Sequence, residues 1–207
     1  MRGRSKLAPI QEPVFESVTT VGQDEFADFV AARELRGDRS HYELLNGRVV
    51  MNPPAGYPHG EIGGNIQRIV GRLVHDRALG KVFDSSQGFE LPSGDTVEPD
   101  HSFVSKERWA AAPPPEEGRF LRVVPDLIAE VLSRKTASQD RGEKKAIHQR
   151  NGVREYWLVD SRAREVTVFR LDGGAFDRGS VYGEGQTFES AVLVGLTVSV
   201  SDLMTHD

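Results

Sequence analysis

The sequence predicts one α/β domain built on a mixed sheet, and three observations carry that prediction. Short apolar runs of strand length recur, as in "PDLIAEVLS", "REYWLVD" and "EVTVFRL". Longer stretches place apolar residues at helical spacing between them. "HYELLNGRVVMNPP" adds an N-terminal hairpin, because Asn46-Gly47 between two apolar segments suits a type I′ turn. The core order is then helix, strand, strand, strand, helix, strand, which describes a mixed sheet flanked by helices. At 207 residues, 38% hydrophobic and 28% charged, the chain has room for one sizeable core plus a short extension.

Each element has its own signal. Residues 1–20 are polar, contain proline and lack a period, so they read as an extended arm ahead of a single domain over 21–207. "TTVGQDEFADFVAAREL" is helical, with Asp24 as a cap and Phe26, Phe29, Val30 and Leu35 near one face. After the hairpin, "GYPHGEIGGNIQRIVGRLVHDRAL" sets Ile62, Ile66, Ile69, Val70, Leu73 and Val74 at helical spacing. Gly63 and Gly64 weaken that helix by about 1 kcal/mol each relative to Ala, which suggests close packing against them. "KVFDSSQGFELP" and "DTVEPDHSFV" read as two strands joined by "PSGD", and "WAAAPPPEEGRF" as a surface loop. Strand 126–132 leads into a helix from about Ser138 to Asn151, closed by Gly152 at the C′ position. A turn-rich hairpin over 173–190 and a last strand and turn over 192–203 complete the chain.

Composition narrows the chemistry. With no cysteine, disulfides, zinc–thiolate sites and cysteine nucleophiles are excluded. No apolar stretch approaches the roughly 18 residues of a membrane span, and "MRGRSKLAPIQEP" lacks the apolar core of an export signal. The expectation is a cytoplasmic protein with no membrane partner. A net charge of −5 argues against indiscriminate nucleic-acid binding. Locally the balance inverts: Arg134 to Arg154 holds seven basic residues against two acids, a charge of +5. That run is equally compatible with a solvated helix face.

Three carboxylates lie in strand-like apolar contexts: Glu43 in "YELLNG", Asp100 in "VEPDHSFV" and Glu130 in "PDLIAEVLS". An ionised carboxylate in such a place costs several kcal/mol or more unless a cation or hydrogen bonds compensate it. Each alone could sit solvated at a strand end or paired with arginine. Asp100 and Glu130 together would repel unless a cation lay between them, and adjacent strands could set them side by side.

These segments resemble a known family. "VEPDHSFV", about 30 residues before "VPDLIAEVLS", followed by "DRGEKKAIHQRNGVREYWLVD", is similar to the Uma-type restriction endonucleases of the PD-(D/E)XK nuclease superfamily. "YELLNGRVVMNPP" and "PHGEIGGNI" match the same family's opening, so the resemblance spans roughly residues 40–172. It implies a restriction-endonuclease-like fold and a metal-dependent endonuclease acting on DNA with Mg²⁺ or Mn²⁺. The alternative is a catalytically idle member that binds nucleic acid or a partner protein through the same groove. Asp100 and Glu130 would be the motif's acids, holding the ion together with the backbone carbonyl of Val131. The usual lysine two residues after the acid is Leu132 here, and Lys144 on the following helix matches the migrated position. Lys144 could equally be a surface residue of a basic helix. Glu43 resembles the family's early acid, with pairing to Arg48 as the alternative, and His59 its histidine at a helix start, with capping or solvation as the alternative. Gln87, read as pointing from the first core strand, could reach a metal-bound water. Arg134, Lys135, Arg141 and Lys145 would contact DNA, and cutting both strands would suit a homodimer. Tyr156 and Trp157 read as packing residues, with base stacking by Tyr156 as the alternative.

Overall fold

A computed structural model describes residues 17, 19–38, 40–52 and 56–204. Most of the expected N-terminal arm, residues 1–16 and 18, lies outside the described residues. Helix α1 (Gln23–Glu34) starts at Gly22 rather than at an Asp24 cap, because the Glu25 carboxylate accepts the Gly22 N–H at 3.0 Å. Asp24 lies instead in the first turn, where its charge suits the helix dipole. Phe26 is buried against Tyr42, Leu44 and Val49 of the hairpin.

Strands β1 (His41–Leu45) and β2 (Arg48–Asn52) pair with Leu45 opposite Arg48. Asn46 and Gly47 therefore form a two-residue turn, with φ of 50° and 77° as a type I′ turn requires. Helix α2 (His59–Asp76) buries Ile62, Ile66, Val70 and Val74 in the main core. Among the described residues, nothing comes within 4 Å of a Cβ built at Gly63 or Gly64. The close packing expected there is absent.

The two segments read as single strands each break in two. Strands β3 (Gly80–Asp84) and β6 (His101–Ser105) pair in the main sheet, whereas β4 (Phe89–Glu90) and β5 (Thr96–Val97) pair with each other. Through Leu44 opposite Thr96, the latter two extend the hairpin into a sheet ordered β2-β1-β5-β4. The second break falls at Glu98–Asp100, where Pro99 has no N–H to give a ladder. Asp100 thus lies just ahead of β6, not inside a strand. Helix α3 (Lys106–Ala111), capped by Ser105 Oγ, takes Trp109, Ala110 and Ala111 out of the expected loop.

Strand β7 (Leu127–Val131) runs antiparallel to β6 and parallel to β8 (Glu155–Asp160). The connection contains α4 (Ala137–Gln139), a π-helical turn over Asp140–Lys144, and α5 (Lys145–Arg150), where one uniform helix was expected. Gly152 ends it with φ 79°. Strand β9 (Glu165–Asp172) pairs with β8 and carries β10 (Ala175–Phe176) and β11 (Ser180–Gly183), giving seven strands in the order β10-β9-β8-β7-β6-β3 with β11 also on β9. A ribbon of β12 (Thr187–Glu189) and β13 (Thr197–Ser199), with α6 (Val200–Leu203), packs on the α2 side. The architecture is a mixed α/β sheet flanked by helices. Among the described residues, no helix is long and apolar enough to cross a membrane.

Candidate active site

Strand alternation decides where Glu130 points. Leu127, Ala129 and Val131 enter the core beneath α2, whereas Ile128 and Leu132 enter the opposite cluster with Tyr156 and Leu158. Glu130 shares that second face and looks toward the π-helical turn. Leu132 lies on the same face, but it packs in the apolar cluster and is 7% exposed.

Asp100 meets Glu130 because β6 and β7 pair with His101 opposite Ala129. The Asp100 N–H donates to Glu130 Oε2 at 3.3 Å, and the Val131 N–H donates to Asp100 Oδ2 at 2.8 Å. Both carboxylates are thereby tied to the backbone beside them. His59, the first residue of α2, sets Nε2 3.0 Å from Asp100 Oδ2, so it is neither a helix cap nor merely solvated. Burial pulls the His59 pKa down, but the Asp100 hydrogen bond and the surrounding carboxylates outweigh it and raise it.

Lys144 is no surface lysine. The π-helical turn aims Asp140 and Lys144 inward together, with Nζ 3.7 Å from Asp140 Oδ1. The ammonium lies 2.6 Å from Glu130 Oε1 and 3.0 Å from Glu43 Oε1. Burial disfavours its charge, yet Glu130, Glu43 and Asp140 prevail and hold its pKa well above the usual lysine value. Glu43 is therefore not paired with Arg48, whose guanidinium bonds Glu143 at 2.9 Å. It also accepts from Asn52 Nδ2 at 2.6 Å and from the Glu98 N–H at 3.0 Å. The hairpin thus delivers a fixed, fully buried carboxylate to the Lys144 ammonium.

His59, Asp100, Glu130, Asp140 and Lys144 line an open cavity of about 460 Å³, joined by His41, Glu98, Ser133, Arg134, Lys135 and Thr136, while Glu43 lies behind Lys144, outside the lining. Arg134 and Lys135 are exposed at its edge. Arg141 and Lys145 are not among its lining residues. Arg141 pairs with Asp160 at 2.9 Å, and the Lys145 ammonium stands 3.8 Å over the Phe169 ring. Gln87 lies in the turn after β3, and its amide donates to the Gly88 carbonyl at 2.9 Å, away from the cavity. Tyr156 and Trp157 are wholly buried, which leaves no face of Tyr156 for a base.

Several site residues escaped sequence reasoning. His41 Nδ1 lies 2.8 Å from Glu98 Oε2, and that hydrogen bond raises the His41 pKa. Burial first, then the neighbouring carboxylates, push Asp140 up to about 7, against the opposing pull of Lys144. His148, four residues beyond Lys144, is fully buried beside Glu130. The only sequence signal for Asp140 and His148 was their spacing of four on either side of Lys144.

Among the described residues, no set of three His, Asp or Glu side chains is placed to hold a metal ion unaided. A hard cation such as Mg²⁺ needs fewer, taking one or two carboxylates and keeping several waters. Asp100 and Glu130 meet that requirement. The charge balance also fits: even with Asp140 left out, Asp100, Glu130 and Glu43 outnumber the one buried ammonium and His59, so negative charge is in excess.

The fold is a mixed α/β sheet flanked by helices that gathers His59, Asp100, Glu130 and Lys144 at one open cavity. The family model "Uma2: Putative restriction endonuclease" matches residues 26–201, and the chain belongs to that family. A crystal structure described as "a putative nuclease belonging to DUF820 from Anabaena variabilis ATCC 29413" superposes with a TM-score of 0.65. It covers 78% of this chain and 88% of its own, at 19% identity, a likeness of fold. No curated protein matches the chain.

Proposed function

We propose that the protein is a metal-dependent endonuclease that hydrolyses phosphodiester bonds in DNA. The observation that carries this reading is the convergence of Asp100, Glu130 and Lys144 in one open cavity edged by Arg134 and Lys135. Asp100, Glu130 and the Val131 carbonyl would hold Mg²⁺ or Mn²⁺. When bound, such an ion lowers the pKa of a water and stabilises charge on the scissile phosphate.

The chain's own groups supply the rest. Backbone N–H groups of Asp100 and Val131 orient the two carboxylates before any ligand arrives, and His59 Nε2 makes a further contact to the same Asp100 Oδ2 that the Val131 N–H holds. Lys144 compensates Glu130 and Glu43 in this state; turned toward the cavity, its ammonium orients the attacking water or offsets charge on phosphate. Arg134 and Lys135 draw the phosphate backbone to the opening. Cutting both strands calls for two such sites, which a symmetric homodimer provides.

A second reading has its own observation. Lys144 is enclosed by carboxylates and Leu132 is packed as an apolar residue, as suits an idle member that binds DNA without cutting it. Calorimetric titration with Mg²⁺ tests the metal site directly. Wild type binds, and Asp100→Ala and Glu130→Ala abolish binding while circular dichroism stays unchanged. Equal affinity in all three proteins contradicts the assignment.

A further inference from the structure

His148 is completely buried on α5, its ring centroid 4.9 Å from that of Tyr156. Neither ring nitrogen has a hydrogen-bond partner among the described residues. Its Nε2 stands 3.9 Å from Glu130 Oε1, an oxygen that likewise accepts no well-formed hydrogen bond although the Lys144 ammonium is 2.6 Å away. Buried polar groups are almost always paired, so a partnerless ring nitrogen 3.9 Å from a carboxylate oxygen that only Lys144 approaches indicates a second arrangement in which nitrogen and oxygen meet. The Lys144 ammonium cannot serve Glu130 Oε1 and a substrate phosphate in the same position.

We propose that His148 is a positioning residue for Glu130, donating its Nε2–H to Glu130 Oε1 when Lys144 turns from that oxygen as a metal ion enters and substrate follows. The inference rests on the endonuclease reading and deepens it. A small rotation of the carboxylate closes the gap, while Glu130 Oε2 keeps the Asp100 N–H. Glu130 is then never left as a bare buried anion. The neutral ring carries its single N–H on Nε2, which leaves a lone pair, not a buried N–H, at Nδ1.

The test compares His148→Phe, which keeps the ring and its packing against Tyr156, with His148→Gln, which keeps an N–H donor. Removing such an outer partner should lower Mg²⁺ affinity by calorimetry, and kcat for plasmid cleavage, by roughly 10- to 100-fold, with KM for DNA unchanged. His148→Gln should recover to within about threefold of wild type on the same scale. Unchanged Mg²⁺ affinity in His148→Phe overturns the proposal, as does equal loss in both variants, which would mark the residue as a matter of shape. A wild-type measurement needs no variant to fold: ¹⁵N spectra of the histidine rings should show His148 as the Nε2–H tautomer, shifting as Mg²⁺ is added. An Nδ1–H tautomer, or no shift, overturns it. If wild type binds no Mg²⁺ at all, the endonuclease reading fails and this inference with it. Binding in wild type that His148→Phe leaves untouched removes His148 alone.

Discussion

Lys144 keeps a charged ammonium at 4% exposure because two carboxylate oxygens lie within 3.0 Å of it. Breaking a buried pair leaves uncompensated charge, so Lys144→Met should destabilise the protein at neutral pH by about 3 kcal/mol in urea unfolding. Added Mg²⁺ should restore part of that loss by supplying the missing positive charge. Turnover should fall while DNA affinity holds. A parallel fall in affinity and salt slope would instead make Lys144 a phosphate contact. His101 gives a separate prediction. Its Nδ1 is 2.7 Å from Gln67 Oε1, its Nε2 has no partner among the described residues, and burial pulls its pKa down to about 4. Unfolded histidine titrates near 6.5, so the unfolded chain binds the extra proton first. The associated stability is complete above that value and is lost as pH falls toward 4. Between pH 7 and about pH 5 this amounts to roughly 2 kcal/mol without added divalent cation. A His101→Gln variant should lose that much less than wild type in urea titrations at the two values. An equal loss would show that His101 is not the group responsible.

The glycines separate helix cost from packing cost at the level of elements. Gly63 and Gly64 sit inside α2 with open space where a Cβ would go, so alanine at either should raise stability by about 0.5–1 kcal/mol. Gly152 also has open space, but its φ of 79° should make Gly152→Ala cost roughly 1 kcal/mol or more. Thermal melts of the three variants should show opposite signs, and loss of stability in Gly63→Ala would mean that something does pack there. What the sequence made legible follows from the same locality. The hairpin turn, α2 and β7 were readable because Asn-Gly, the helical period and a short apolar run are signals carried by neighbouring residues. The splitting of "KVFDSSQGFELP" and "DTVEPDHSFV" was not, because only the second sheet decides that Phe89–Glu90 and Thr96–Val97 pair with the hairpin. The π-helical turn was equally hidden, since Asp140 and Lys144 four residues apart also fit an α-helix. Arg48 along the hairpin was the local alternative for Glu43, and the actual partner, Lys144, comes from another element altogether. His148 has no local mark beyond its spacing of four from Lys144.

For the whole molecule, a net charge of −5 means that any attraction of DNA would be local. The run from Arg134 to Arg154 does not line one cavity. Arg134 and Lys135 lie at the cavity, whereas Arg141 and Lys145 are engaged by Asp160 and Phe169. Charge reversal at Arg134 or Lys135 should therefore weaken DNA binding more than reversal at Arg141 or Lys145. Each lost phosphate contact should also reduce the slope of log affinity against log salt by about 0.9. Fluorescence anisotropy over a salt series checks this, and the reverse ranking would move the DNA path off the cavity. The central claim, that Asp100 and Glu130 form a metal-dependent cutting site, is tested most directly by supercoiled plasmid cleavage. Wild type and Glu130→Gln are incubated with Mg²⁺, with Mn²⁺ and with chelator. Nicked or linear product should form only with wild type and metal. Plasmid left intact by wild type in both metals, or cut equally by Glu130→Gln, would contradict it.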